Sequence, residues 1–271
     1  MPNPPKTLAT VFAGLRQQQQ RIGLMPFIPA GYPNLAATAA LLPAIEQGGA
    51  SAIEIGIPFS DPVADGPVIQ EAFTHALAHK IKVRDVFDCI RGARPTVSIP
   101  LVAMVSFSIV FRYGVDRFAA DAASAGFNGL IIPDLPPPEA QAVCVKVRAA
   151  GLDTILLVSP TTAPGRRPEI TRLCSGFVYY LSVSGITGER DRLPANIEEN
   201  LRQLRKITDL PLCVGFGISK PEHVRQLAGL ADGAIVGSAV VRRIREHLAA
   251  ALPELCAAVA DYCRELCAAT Q

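Results

Sequence analysis

Eight short apolar runs recur along the chain, and they constrain its fold more than any other feature. They are GLMPFIPA at 23–30, SAIEIGIP at 51–58, SIPLVAMVSF at 98–107, NGLIIPDL at 128–135, DTILLVSP at 153–160, GFVYYLSVS at 176–184, PLCVGFGIS at 211–219 and DGAIVGSAV at 232–240. Each is near-continuously apolar rather than alternating, as expected of strands buried on both faces of a parallel sheet. Stretches of helical composition lie between them, such as LAATAALLPAIEQGG and DRFAADAASAG, and Gly and Pro punctuate the joins. This alternation predicts an α/β fold with a parallel sheet. Eight units in 271 residues match a closed (β/α)8 TIM barrel, which typically takes about 250. An open doubly wound sheet would carry a Gly-rich nucleotide fingerprint after its first strand, where this chain has AGYPN.

Two segments fall outside the repeat. Residues 7–20, TLATVFAGLRQQQQ, read as an extra N-terminal helix, and residues 241–268 as one or two closing helices interrupted near Pro253. With no linker or low-complexity tract, residues 1–271 are expected to form a single TIM-barrel domain.

Charge and composition narrow the partners. The net charge is only +2 and no block of like charges occurs, so neither nucleic acid nor an anionic membrane surface is expected. The opening MPNPPKTLAT lacks the basic and apolar regions of a signal peptide. The longest apolar run, IPLVAMVSFSIVF at 99–111, is too short to span a bilayer. Seven cysteines, without a C-x-x-C pair, suggest reduced thiols in a cytoplasmic enzyme. Cys256, Cys263 and Cys267 share one helix face; no histidine or carboxylate completes a ligand set, so they read as packing residues.

The chemistry concentrates in AIEIGIPFSDPVADGP, residues 52–67. Side chains alternate faces along a strand, so Ile53, Ile55 and Ile57 face the helices while Ala52, Glu54 and Gly56 face the barrel interior. A carboxyl buried there has its pKa raised and can both give and take protons. Barrel active sites lie at the C-terminal ends of the strands, where Glu54 stands. Prolines 58, 62 and 67 stiffen the following loop, and Gly66 permits its turn. That loop can hold Asp65 over the barrel mouth as a second acid–base group; taken alone, Asp65 reads rather as a helix N-cap, and only beside Glu54 do the two readings balance. Asp61 reads as a turn former or surface contact.

Two Gly-rich strand ends come late, GFGIS at 215–219 and VGSAV at 236–240. Barrels often bind phosphate with the loops after strands 7 and 8, where glycine admits backbone N–H groups to an anion. Gly217, Gly237 and Ser238 are therefore candidate phosphate ligands. The polar loop SVSGITGERDRLP after the sixth run reads as a lid, with Thr187 and Gly188 at its middle. No strand lysine suggests a Schiff base and no metal-ligand spacing occurs. The residues thus describe a metal-free barrel enzyme acting on a small phosphorylated metabolite by general acid–base catalysis.

The stretch IEIGIPFSDPVADGPVIQ resembles the signature of tryptophan synthase alpha subunits, and PFIPAGYP, IIPDLPPPE, SVSGITG, GFGIS and VGSAVV extend the resemblance over nearly the whole chain. The resemblance implies a lyase of tryptophan biosynthesis that cleaves indole-3-glycerol phosphate to indole and glyceraldehyde 3-phosphate. It makes Glu54 the acid–base group at indole C3 and Asp65 the carboxylate at the indole N–H. Tyr179 stands close to the glutamate, and Phe27 and Ile69 line the indole pocket. Gly188, Gly217, Gly237 and Ser238 form the phosphate cradle, and Thr187 is the lid threonine. The implied partner is a beta subunit in an alpha2beta2 heterotetramer; PLP belongs to that partner, and this chain needs no cofactor. Pro58, Asp61 and Ser108 are expected at the partner-facing rim. The chain departs from the family after the third strand, where Ser106 and Ser108 replace a usual Tyr and Asn, and in the first strand, where Pro29 replaces a common Thr. The alternatives are a stand-alone lyase that releases indole, and a largely non-catalytic barrel that regulates a beta-type partner.

Overall fold

The computed structural model describes residues 6–17, 22–62, 65–182, 194, 196–215 and 217–270. Through these the chain runs α1 (Leu8–Gln17), β1 (Gly23–Pro29), α2 (Leu35–Gln47), β2 (Ile53–Gly56), α3 (Pro67–Ala78), α4 (Val83–Ala93), β3 (Leu101–Met104), α5 (Phe107–Tyr113), α6 (Val115–Ala125), β4 (Gly129–Ile131) and α7 (Pro137–Ala149). It continues with β5 (Asp153–Ile155), β6 (Leu157–Val158), α8 (Arg167–Leu173), β7 (Val178–Leu181), α9 (Ile197–Arg205), β8 (Leu212–Gly215), α10 (Pro221–Leu227), β9 (Gly233–Val236), α11 (Ser238–Glu246) and α12 (Leu252–Cys267). Every apolar run contains a strand.

All strand pairings are parallel, in the order β5-β4-β3-β2-β1-β9-β8-β7-β6. The two ends of that order, β5 and β6, are consecutive pieces of the fifth run. Asp153–Ile155 pairs with β4, Leu157–Val158 pairs with β7, and the Leu156 carbonyl between them accepts from Tyr179 N–H at 3.1 Å. The run expected as one strand is therefore divided: it passes its pairing from one neighbour to the next and so closes the barrel. Barrel closure requires the strands to be staggered, which a single short segment accommodates in this way.

The two faces of the sheet bury different residues. Ile53, Ile55 and Ile57 lie in the outer layer with Leu41 and Ile45 of α2 and Val86 and Phe87 of α4. Ala52 lies in the barrel interior with Met25, Val102, Ile131, Phe177, Tyr179 and Cys213. The face assignment expected from alternation holds on β2. At the N-terminal end of the barrel, Leu8 and Phe12 of α1 join this interior cluster, and the Phe12 ring meets Phe177 edge-on at 6.1 Å. A Cβ on Gly23 or Gly176 would come within 2.9 Å of Leu15 or 2.8 Å of Leu8, so glycine at these strand entrances lets α1 seat closely. Helix α1 is the plug of the barrel floor.

The closing segment divides where proline was expected to matter. Pro253 occupies the first turn of α12, where its missing N–H costs nothing, so it starts that helix rather than kinking one. Cys263 and Cys267 pack on the end of α2: a Cβ on Gly48 would lie 2.7 Å from the Cys263 Cβ, and one on Gly49 3.1 Å from the Cys267 sulfur. All seven cysteines are free thiols. Among the described residues, no helix is long and apolar enough to cross a membrane.

Candidate active site

Glu54 sits in β2 beside Phe27 of β1 and Val102 of β3, with 1% of its surface exposed. The same-face neighbours Ala52 and Gly56 are small. Gly56 has to be, because a Cβ there would lie 2.6 Å from the tip of the Phe27 ring. Glu54 Oε2 is buried and has no hydrogen-bond partner among the described residues. Burial, and secondarily the charge of Asp65, pushes the Glu54 carboxyl up to about 8. Asp65 is half-buried, and burial lifts its carboxyl to about 6. Asp65 loses its proton while Glu54 is still neutral, and its charge then opposes the ionisation of Glu54. Between about 6 and about 8 the pair holds one proton, on Glu54.

The N-cap reading of Asp65 does not hold. The N-cap of α3 is Gly66, followed by Pro67 in the first turn, and no side chain caps it. Asp65 is instead anchored through its backbone: Gln70 Nε2 donates to the Asp65 carbonyl at 2.7 Å and to the Pro62 carbonyl at 3.3 Å. It lines a cavity of about 230 Å³ at the C-terminal mouth of the barrel. The remaining walls come from Phe59 and Phe73, from Met104 to Ser106 after β3, from Pro133 and Asp134 after β4, and from Leu157 and Leu181.

Tyr179 on β7 is 4% exposed and faces the interior. A Cβ on the adjacent Gly215 would collide with the phenol, so the missing side chain makes room for the hydroxyl. Burial first, then the charges of Glu54 and Asp65, pushes its ionisation well above the ordinary range, and the phenol remains a neutral donor.

The late glycines occupy neighbouring strand exits. Gly217 follows β8 with φ of +78°, a conformation natural to glycine. Gly237 is the N-cap of α11, and Ser238 is its first residue. The opening N–H groups of a nine-residue helix therefore point out beside Gly237, where an anion is favoured. Phe27 and Ile69 close on the same spot, each 3.9 Å from where a Gly237 Cβ would stand. The structure thus brings Phe27, Ile69 and Gly237 together, and Phe27 in turn stands beside Glu54, which feels the charge of Asp65 as Tyr179 feels both.

Thr187 and Gly188 lie outside the described residues. Asp61 is exposed on the cavity rim, accepting from Ser60 Oγ at 2.7 Å, and Ser108 is also exposed. Pro58, expected at the partner-facing rim, is buried behind it, against a second cavity of about 440 Å³ shared with Ile81, Val86 and Tyr113. Sequence reasoning passed over Met104, Leu157 and Leu181. Alternation marks all three, since each stands two residues beyond an interior side chain: Val102, Ile155 and Tyr179. Asp134 carried no such signal.

A parallel barrel with two carboxyls of raised pKa at its C-terminal mouth, and a helix N-terminus at a neighbouring strand exit, defines a barrel enzyme of the acid–base type. Residues 12–271 match the family model described as tryptophan synthase alpha chain. The chain is 46% identical over 244 residues to the tryptophan synthase alpha chain of Rhodopirellula baltica, covering 88% of this chain and 87% of that one. It is 44% identical over 265 residues to that of Chloroflexus aggregans, covering 97% and 98%. A Mycobacterium tuberculosis tryptophan synthase structure superposes with a TM-score of 0.87 at 37% identity, covering 98% of each chain. A Pyrococcus furiosus mutant alpha-subunit superposes at 0.82 and 36% identity, covering 92% of this chain and 98% of that one. The chain belongs to the tryptophan synthase alpha chain family, and it is a lyase of tryptophan biosynthesis.

Proposed function

We propose that Glu54 and Asp65 divide the acid–base work of the alpha reaction, the retro-aldol cleavage of indole-3-glycerol phosphate to indole and glyceraldehyde 3-phosphate. The observation that carries this is the buried Glu54 carboxyl, whose Oε2 has no partner among the described residues, held up to about 8 beside an Asp65 held near 6. At neutral pH the pair then starts the reaction in the required state. Protonated Glu54 gives its proton to indole C3, and the ring becomes a cation with its charge at N1. Ionised Asp65 stabilises that cation and its N–H. The Glu54 carboxylate next takes the proton of the adjacent side-chain hydroxyl as the C–C bond breaks. The electron pair returns to the ring, the aldehyde forms, and Glu54 is again protonated. The neutral Tyr179 phenol stands beside the pair. Phe27 and Ile69 line the apolar slot, and Gly217, Gly237 and Ser238 take the phosphate at the N-terminus of α11.

The C–C bond breaks as protons move to C3 and from the hydroxyl, and the ring itself takes back the electron pair, so the chain's own carboxyls suffice and no cofactor is required of it; PLP belongs to the beta subunit. We infer further that the chain is one domain over residues 1–271, works in the cytoplasm and assembles as an alpha2beta2 heterotetramer. The pH dependence of kcat/KM for indole release tests the carboxyl assignment. Activity should rise through about pH 6 as Asp65 ionises and fall through about pH 8 as Glu54 does. A profile flat from pH 5 to pH 9 would overturn the division of roles.

A further inference from the structure

Asp134 stands on the rim of the mouth in the turn after β4, and none of the roles above uses it. Both of its carboxylate oxygens are engaged: Oδ1 accepts from Phe107 N–H at 2.7 Å, and Oδ2 from Ser106 Oγ at 2.7 Å. Ser106 Oγ in turn accepts from Ser108 N–H at 3.3 Å and lies 3.0 Å from Ser108 Oγ. One carboxylate thus gathers the opening donors of α5 from a turn that lies beyond the sheet. The backbone ladder between β3 and β4 ends just before it, at Val105 N–H to the Ile131 carbonyl, 3.0 Å. Helix α5 has only seven residues, too few to hold its own start in place. Charge-assisted bonds from a carboxylate at a helix N-terminus are suited to that task. Ser106, which the carboxylate holds, and the preceding Met104 and Val105 form a wall of the cavity that Asp65 also lines.

We propose that Asp134 is a positioning residue for the lyase reaction: it clamps the 105–108 turn and thereby fixes the Met104–Ser106 wall that holds the planar indole ring. This rests on the cavity being the substrate pocket. A loosened wall weakens ground state and transition state alike, so the effect falls on KM rather than kcat.

Steady-state indole formation by the full chain tests it with three substitutions. Asp134→Ala should raise KM about tenfold, with kcat within about threefold and both limbs of the pH profile in place. Asp134→Asn still accepts from Phe107 N–H, and its amide can donate to Ser106 Oγ, so KM should return to within about threefold of the parent. Ser106→Ala, which removes one of the two bonds, should raise KM about threefold and serves if Asp134→Ala does not fold. A parental KM in Asp134→Ala would overturn the proposal. So would an Asp134→Asn as impaired as Asp134→Ala, or a loss of thermal stability without the KM change. An unmutated chain that forms no indole would instead overturn the reading of the cavity.

Discussion

Glu54 is a carboxyl whose surroundings oppose its charge, and that has a consequence for the stability of the fold. Its ordinary value of 4.5 rises to about 8 in the folded chain. Between those limits the folded state keeps a proton that the unfolded state has lost, so this group's contribution is intact below pH 4.5 and declines as pH rises to about 8. Each unit of displacement corresponds to about 1.4 kcal/mol, so the loss amounts to several kcal/mol. Glu54→Gln removes the titration and keeps the shape. Its urea-unfolding free energy should match the parent near pH 5 and exceed it by at least about 2 kcal/mol at pH 9. Its turnover should fall at least about 1,000-fold with KM near parental. A stability difference that does not grow with pH would contradict the burial argument. How this residue faces was legible in the sequence, because alternation along a strand is a local rule. Asp65 was less legible: an Asp before a helix, taken alone, favours capping over catalysis. Only the observation that Gly66 occupies the cap position separates the two.

At the scale of elements, the eight runs were readable because strands buried on both faces lose their polar alternation. The division of the fifth run at Leu156 was not, since it depends on the pairing of β4 and β7 on opposite sides of one segment. The Asp134 clamp was hidden for the same reason, joining turns that follow different strands. Helix α1 was visible as an addition to the repeat, but its place was not. That place leads to a prediction. Phe12 is 3% exposed within the barrel floor, far along the strands from the mouth. Phe12→Ala should cost about 3–5 kcal/mol in urea unfolding, because a plug held on several sides collapses poorly around a void. The kcat should stay within about twofold. A comparable loss of kcat would mean that the floor and the catalytic end are mechanically coupled.

For the whole molecule, the plugged floor leaves the mouth as the exit for indole. A partner that consumes indole therefore gains most by covering the mouth. Around the rim lie the exposed carboxylate of Asp61 and the start of α5, whose Phe111 is 67% exposed, the most exposed large apolar side chain among the described residues. Exposed aromatic side chains are the common anchors of protein interfaces. Purified chain should form indole slowly alone and at least about tenfold faster with an equimolar beta subunit, and light scattering should give the mass of two chains of each kind. Equal rates would support the stand-alone lyase instead. Phe111→Ala makes the docking surface itself testable, since it touches neither Glu54 nor Asp65. Its unassisted rate should be parental, while half-maximal activation should require about tenfold more beta subunit, the loss of about 1.4 kcal/mol expected of one aromatic anchor. If Phe111→Ala is activated at the parental beta-subunit concentration, the partner does not dock on α5, and the rim formed by Asp61 and the loop after β2 must carry the contact.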